Sequence, residues 1–286
     1  MNKSQKMIPI EKLHPFENHP YKVQDNEEME LLAESIRENG LLAPVLVRPL
    51  ENTTDEYEII SGHRRIMASQ KAGITEVPAF VVSLDRNAAA IALVDSNLHR
   101  EHILPSEKAF AYKMKLEAMK HQGLRTDLTS TQLVSKCRTD EMIGSDSGES
   151  REQVRRYIRL THLIPKILQY VDDGRIAFTP AVELSYLTEG EQRILLEQME
   201  ICDCTPSLSQ ACRLKKLSRA EGLSTEVISR IMEEEKANQR EMFKVPIEQL
   251  RKFAPKANAK QMAEFIMNAC EYYQKYLIRL RKRNER

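Results

Sequence analysis

Tyr57-Glu58-Ile59-Ile60-Ser61-Gly62-His63-Arg64-Arg65 carries more of the fold than any other stretch of the chain. Its first half is rich in strand formers. Gly62 then permits a tight turn with close backbone approach, and a helical pattern begins at once. A helix N-terminus presents open N–H groups and a partial positive charge, which suits an anion such as phosphate. His63, Arg64 and Arg65 stand in that first turn, where two guanidinium groups add charge-assisted, bidentate donors. The same arginines also fit as surface residues beside a strand–helix turn, and His63 either touches an anion or merely caps the helix.

Working outward, the first hundred residues alternate strand and helix patterns. Residues 7–13 read as a short strand and residues 14–20 as a loop with two prolines. Asp25 with Glu28 three places on has the form of a capping box. Met29, Leu32, Ala33 and Ile36 follow at helical spacing, and Gly40 stands where a left-handed C-cap is expected. Residues 44–48 and 57–60 read as strands joined by a hairpin-like turn. A helix over 63–72 closes at Gly73 and leads to a strand over 77–82. From Asn87 on the pattern is almost wholly helical, with helices expected over 87–94, 105–121, 131–137, 150–163, 165–173, 179–187, 189–200, 207–217, 224–238 and 260–283.

One helix after the glycine turn comes Asp95-Ser96-Asn97-Leu98-His99-Arg100-Glu101. Asp95, Asn97 and Glu101 are oxygen ligands of the kind Mg²⁺ accepts beside a phosphate. Taken alone, the segment is equally a polar helix end.

Composition bounds the rest. The chain has 286 residues, 30% of them charged and 6% aromatic, which suits a helix-rich protein of two or three small domains. No apolar run approaches the roughly 20 residues of a bilayer span, and the start resembles no signal peptide, so a cytoplasmic protein without membrane contact is expected. Five cysteines make a disulfide framework improbable there. Cys202, Cys204 and Cys212 lack the partners of a zinc site. The net charge of +1 hides a local cluster at Arg151, Arg155, Arg156 and Arg159, and a basic end.

The order of blocks resembles the ParB family of partition proteins over roughly residues 7–190. The blocks are Ile8-Pro9-Ile10 with Leu13 and Pro15; Leu32-Ala33-Glu34-Ser35-Ile36-Arg37-Glu38-Asn39-Gly40 with Pro44-Val45-Leu46-Val47-Arg48; Gly62-His63-Arg64-Arg65; Val77-Pro78-Ala79; and Asn97-Leu98-His99-Arg100-Glu101. The ordered set is specific where no single block is. The resemblance implies a mixed α+β chain: a small α/β ParB/sulfiredoxin-like N-terminal domain (1–103), an all-α helix-turn-helix domain (104–218) and a helical C-terminal region (219–286). It also implies a module that binds CTP with Mg²⁺. Gly62, Arg64 and Arg65 would cradle the triphosphate, with His63 and Glu101 beside it. Asn97 would hold the metal, and Arg100 would reach the phosphates. His63 stands where the family commonly has Glu, and Ser96 stands where it commonly has the Glu tied to hydrolysis. Slow CTP hydrolysis therefore stays open. Sulfiredoxin shares the fold but has a catalytic Cys where His63 stands, which disfavours its chemistry.

Leu128-Thr129-Ser130-Thr131-Gln132-Leu133-Val134 resembles the first helix of a helix-turn-helix, and Ser150-Arg151-Glu152-Gln153-Val154-Arg155-Arg156-Tyr157 the second. Ser150 with Gln153 has capping-box form. Val154, Ile158, Leu160 and Leu163 would be buried, leaving Arg151, Gln153, Arg155 and Arg156 outward for a major groove, where Arg favours guanine and Gln adenine. Thr131, Gln132 and Ser150 complete the expected DNA-contacting set. The polar stretch 138–148 makes the turn longer than usual. An exposed basic helix with no ligand is the plainer alternative. In residues 260–283, Phe265, Ala269, Tyr272, Tyr276 and Leu280 recur at near-helical spacing, for self-association or for packing onto the chain's own domain.

The resemblance thus implies a homodimer reading a palindromic double-stranded DNA site on a plasmid or other mobile element. A ParA-type ATPase would be its partner, and its location the nucleoid. The rival readings are a nucleotide-independent transcriptional regulator or replication protein and, ranked last, a nuclease or small-molecule kinase on the same fold.

Overall fold

Successive residues of a strand face opposite sides of a sheet, and Ile59 and Ile60 show what that requires here. Both are buried, Ile59 among Ile8, Val45, Val47, Ile66 and Val77, and Ile60 among Phe16, Val82, Leu93, Val94 and Ala111. The sheet is therefore covered on both faces in this computed structural model, which describes residues 4–51, 53–98, 100, 102–127, 143–144, 148–220, 222–234, 251–253 and 258–284.

The sheet has five strands: β1 (Ser4–Pro9), β2 (Leu13–His14), β3 (Val45–Pro49), β4 (Tyr57–Ser61) and β5 (Glu76–Val81), in the order β1-β5-β3-β4-β2. Strands β1 and β5, and β3 and β4, pair antiparallel, while β3 with β5 and β2 with β4 run parallel. The expected strand over 7–13 is split, because a short 3₁₀ turn, Ile10–Lys12, breaks it. On the side of Ile60, Arg48 and Glu58 form a buried cross-strand ion pair of 2.7 Å. Glu58 also accepts the Glu17 N–H at 3.3 Å.

Helix α1 (Glu27–Asn39) packs Met29, Ala33 and Ile36 against Ala68 of α2 (His63–Lys71). Its cap is Asn26, whose Oδ1 accepts from the Met29 N–H at 3.2 Å, and not the expected Asp25. Asp25 instead pairs with Lys71 of α2, so a tertiary ion pair competes for its carboxylate. Helix α3 (Arg86–Asn97) runs one turn beyond the expected end. Ser96 Oγ and Asn97 Nδ2 both donate to the Leu93 carbonyl, at 2.9 and 2.7 Å, so the polar residues bond back onto their own helix.

The long α4 (Pro105–Asp127) packs on α3 and on the next two helices, α5 (Arg151–Leu160) and α6 (Pro165–Asp172); α7 (Phe178–Leu184), α8 (Glu189–Ile201), α9 (Leu208–Ala220) and α10 (Thr225–Glu233) follow. Leu160, Ile167, Leu184, Leu195, Met199 and Leu214 are fully enclosed in a second core. Tyr112, Ile143 and Val154 form a smaller cluster that seats α5 on α4 and on Leu98 at the end of α3. The mixed α+β architecture is the expected one. The expected helix over 131–137 lies outside the described residues.

Residues 1–234 form one compact unit and residues 235–286 another. The second, taken by itself, contains α11 (Ala259–Asn284), whose Phe265, Met267, Tyr272, Tyr273 and Tyr276 are exposed. Among the described residues no helix is long and apolar enough to cross a membrane.

Candidate functional site

The turn from β4 into α2 tolerates only glycine. Gly62 has φ +110°, and a Cβ there would stand 2.7 Å from Val45 Cγ1 and 3.1 Å from Arg65 Nη2. No side chain caps α2, so its first-turn N–H groups are left for another acceptor. Arg65 Nη1 donates to the Ala43 carbonyl at 2.6 Å and the Pro44 carbonyl at 2.9 Å. That guanidinium fixes the loop ahead of β3. Arg64 reaches the other way, to Glu28 Oε2 at 3.1 Å, and both side chains are exposed.

Arg64 and Arg100 line one cleft of about 630 Å³, together with Lys22, Gln24, Asn26, Glu28 and Glu107. Glu107 is occupied: it accepts from the backbone N–H of Lys22 at 2.8 Å and of Leu104 at 3.1 Å. Three cations thus line a pocket whose carboxylates are already engaged, an arrangement suited to a polyanion.

Close to Arg100 lies a histidine pair. The His63 and His19 rings are 3.9 Å apart, and Arg100 stands over Tyr21 at 5.4 Å. His19 Nδ1–H donates to the Tyr21 carbonyl at 2.7 Å. His63 Nε2 is buried and has no hydrogen-bond partner. Burial, reinforced by His19 and Arg100, pushes the His63 imidazole down to about 3, so it is neutral at physiological pH. Burial likewise lowers His19.

Asn97 is buried, and its Nδ2 donates to the Leu93 carbonyl and to Ser96 Oγ at 3.1 Å. This leaves Oδ1, the atom a hard cation would take, without a hydrogen bond. Asn97 is not among the residues lining the cleft. Asp95 is paired with the buried Lys115 at 2.6 Å. Among the described residues no three His, Cys, Asp or Glu side chains are grouped to hold a metal. The expected site residue Glu101 lies outside the described residues.

The expected DNA-reading helix is α5. Ser150 Oγ accepts from the Gln153 N–H at 3.2 Å, and Val154 and Leu160 are buried. Arg155 is exposed, while Arg151 and Gln153 are half-buried. Arg156, expected to face outward, lies against α7 instead, donating to Thr179 Oγ1 at 3.0 Å with its guanidinium 5.0 Å over Phe178. Neighbouring α7 covers the flank of α5 that a helical wheel leaves open. An ion pair from Lys108 to Glu149 ties the start of α5 to α4. Thr131 and Gln132 lie outside the described residues.

Lys22 and His19 escaped the sequence reading. Nothing local marks them, because Lys22 reaches the cleft, and His19 the His63 ring, only when the loop before α1 folds back on the domain.

A family model described as the ParB N-terminal domain matches residues 1–98. The chromosome-partitioning protein Spo0J of Thermus thermophilus is 37% identical over 188 residues, 65% of this chain and 61% of that protein. The probable chromosome 1-partitioning protein ParB of Deinococcus radiodurans is 32% identical over 216 residues, 75% of this chain and 67% of that one. The chain thus spans about two thirds of the length of these relatives. A C-terminally truncated ParB from Caulobacter crescentus has been solved with the centromeric parS site and with CTP-gamma-S. The two structures are 27% and 30% identical, with TM-scores of 0.44 and 0.32, and cover 74% and 69% of this chain and 98% and 99% of those chains.

Proposed function

Because the chain belongs to the ParB family, we propose that it is a DNA-binding partition factor whose N-terminal module is a CTP-responsive switch. The observation that carries this reading is the uncapped, glycine-hinged start of α2, with Arg64 and Arg100 on one cleft. Open N–H groups and two guanidinium groups complement a triphosphate. Arg65 acts by holding the loop at Ala43 and Pro44, and the unpartnered His63 Nε2 supplies a neutral polar atom beside Arg100. A bound Mg²⁺ would neutralise phosphate charge, with Asn97 Oδ1 as its protein ligand.

On the DNA side, Arg155 with Arg151 and Gln153 are the groups offered by α5 to base edges in a palindromic site. Arg156, held by Thr179, positions α7 against that helix. A homodimer matches the two-fold symmetry of such a site, and the exposed aromatic residues of α11 are its proposed contact. A ParA-type ATPase in the cytoplasm completes the reading. The replicon, a plasmid or mobile element from the sequence, is a chromosome for the named relatives.

Calorimetric titration with CTP, UTP, GTP and ATP in Mg²⁺, beside Arg64→Ala, tests the switch. Selective CTP binding that disappears in the variant is the expected result. Absence of binding to every nucleotide, with and without DNA, would leave a nucleotide-independent DNA-binding regulator in its place.

A further inference from the structure

Beyond α5, three cations converge on one aromatic ring. Arg159 Cζ, Lys215 Nζ and Arg219 Cζ lie 4.1, 3.8 and 4.9 Å from the centroid of Tyr186. With every distance under 5 Å, no two of these charges are farther apart than a Debye length, about 10 Å at 0.1 M salt, so salt screens them from one another only in part. One carboxylate answers them: Glu183 pairs with Lys215 at 2.7 Å. Arg159 spends its Nη2 on the Ser185 carbonyl at 2.9 Å, and its Nε is buried without a partner. Neither Arg159 nor Arg219 has a carboxylate partner among the described residues. A ring attracts a cation but neutralises none of its charge, so among the described residues the cluster keeps a surplus of two positive charges.

Its place in the fold says which anion. Arg151, Arg155 and Arg159 recur every four residues, so they share one side of α5. Arg159 is the last of that stripe, and through Tyr186 it brings in two cations from α9. The basic surface therefore begins at the proposed base-reading end of α5 and continues onto a second helix. A helix set in a major groove is flanked by the phosphates of both strands.

We propose that Arg159, Lys215 and Arg219, held around Tyr186, form a phosphate clamp that grips the DNA backbone beside the segment read by α5. The clamp rests on the DNA-binding reading above and adds a contact on a separate helix that senses no sequence. Ordering the ring and its three cations in advance lowers the entropy lost when DNA docks.

The test is duplex affinity against salt, read by fluorescence anisotropy with a long random-sequence duplex, for the full chain. Each phosphate contact contributes about 0.9 to the slope of log K against log salt. Arg219→Gln should lower the slope by about 1 and Lys215→Gln with Arg219→Gln by about 2, with Arg219→Lys close to wild type. Arg193→Gln, an exposed arginine paired with Glu189 on α8, is the control for charge removed elsewhere. Arg219 is exposed, so its variants should melt with the wild type. If Arg155→Ala weakens binding while Arg219→Gln and the double variant match Arg193→Gln, the clamp is wrong and the DNA reading stands. If the wild-type chain binds no duplex, the DNA reading itself fails and takes the clamp with it.

Discussion

At His63 the fold buries an imidazole at the head of α2, and the structure shows what that burial costs. The ring is buried against His19 beside Arg100, which holds it neutral down to about pH 3. In the unfolded chain the same imidazole titrates near pH 6.5. Between those values the unfolded state takes up a proton that the folded state refuses, so stability falls as pH drops from about 6.5. At pH 5 the penalty is about 2 kcal/mol. His63→Gln removes the titration and keeps a polar atom in the pocket. Urea unfolding at pH 7, 6 and 5 should then show a shallower loss for the variant than for the wild type; parallel losses would mean the ring is solvated. The sequence did show His63 at the head of a helix, because Gly62 and two arginines mark that position locally. It could not show His19 set against it, since that contact depends on how a proline-rich loop folds.

Among elements, α5 was read most completely, and it also shows where such reading stops. Ser150, Val154 and Leu160 do what a capped amphipathic helix requires, and each acts within a few residues of itself. Arg156 departs from the wheel, which divides a helix into buried and open halves, because α7 covers a third flank with Thr179 and Phe178. The strand β4 was legible because Ile59 and Ile60 sit between clear stops. The end of α3 was not, because Ser96 and Asn97 bond back to Leu93 where a polar run normally signals a loop. The cap on α5 carries a prediction of its own. Ser150→Ala should cost about 1 kcal/mol, and fraying the first turn should weaken DNA binding through Arg151 and Gln153. Ser150→Asn, an equally good cap, should restore both the melting temperature and the affinity. A helix held by tertiary packing alone would leave all three proteins alike in thermal melts.

At the scale of residues 1–234, the proposed nucleotide cleft and the helices that carry α5 meet at Asp172, the last residue of α6. Its carboxylate is nearly buried and accepts from the Ser106 N–H at 2.9 Å, from Ser106 Oγ at 2.6 Å and from Lys22 Nζ at 3.3 Å. It therefore caps α4 from another helix, where a negative charge is favourable, and holds a cation that lines the cleft. These partners lie 66 and 150 residues apart in sequence, so no local pattern announces them. On the proposed reading, a triphosphate in the cleft would compete with Asp172 for Lys22, and whatever it won would loosen α6 from the cleft wall. A ligand shifts such an equilibrium only by its differential contact with the two states. The link from Lys22 to Asp172 is one such difference. It predicts that Lys22→Ala, an exposed ion-pair deletion worth at most about 1 kcal/mol of stability, will leave the fold and DNA affinity intact. The same variant should reduce the factor by which CTP alters that affinity. Asp172→Ala should cost more, about 1–3 kcal/mol, because it strands the Ser106 donors as well. Measuring DNA affinity with and without CTP for the wild type and Lys22→Ala separates the two roles. An unchanged CTP factor in Lys22→Ala would mean that the signal reaches α5 by another route. The packing of Leu98, at the end of α3, against Tyr112 and Val154 provides the alternative.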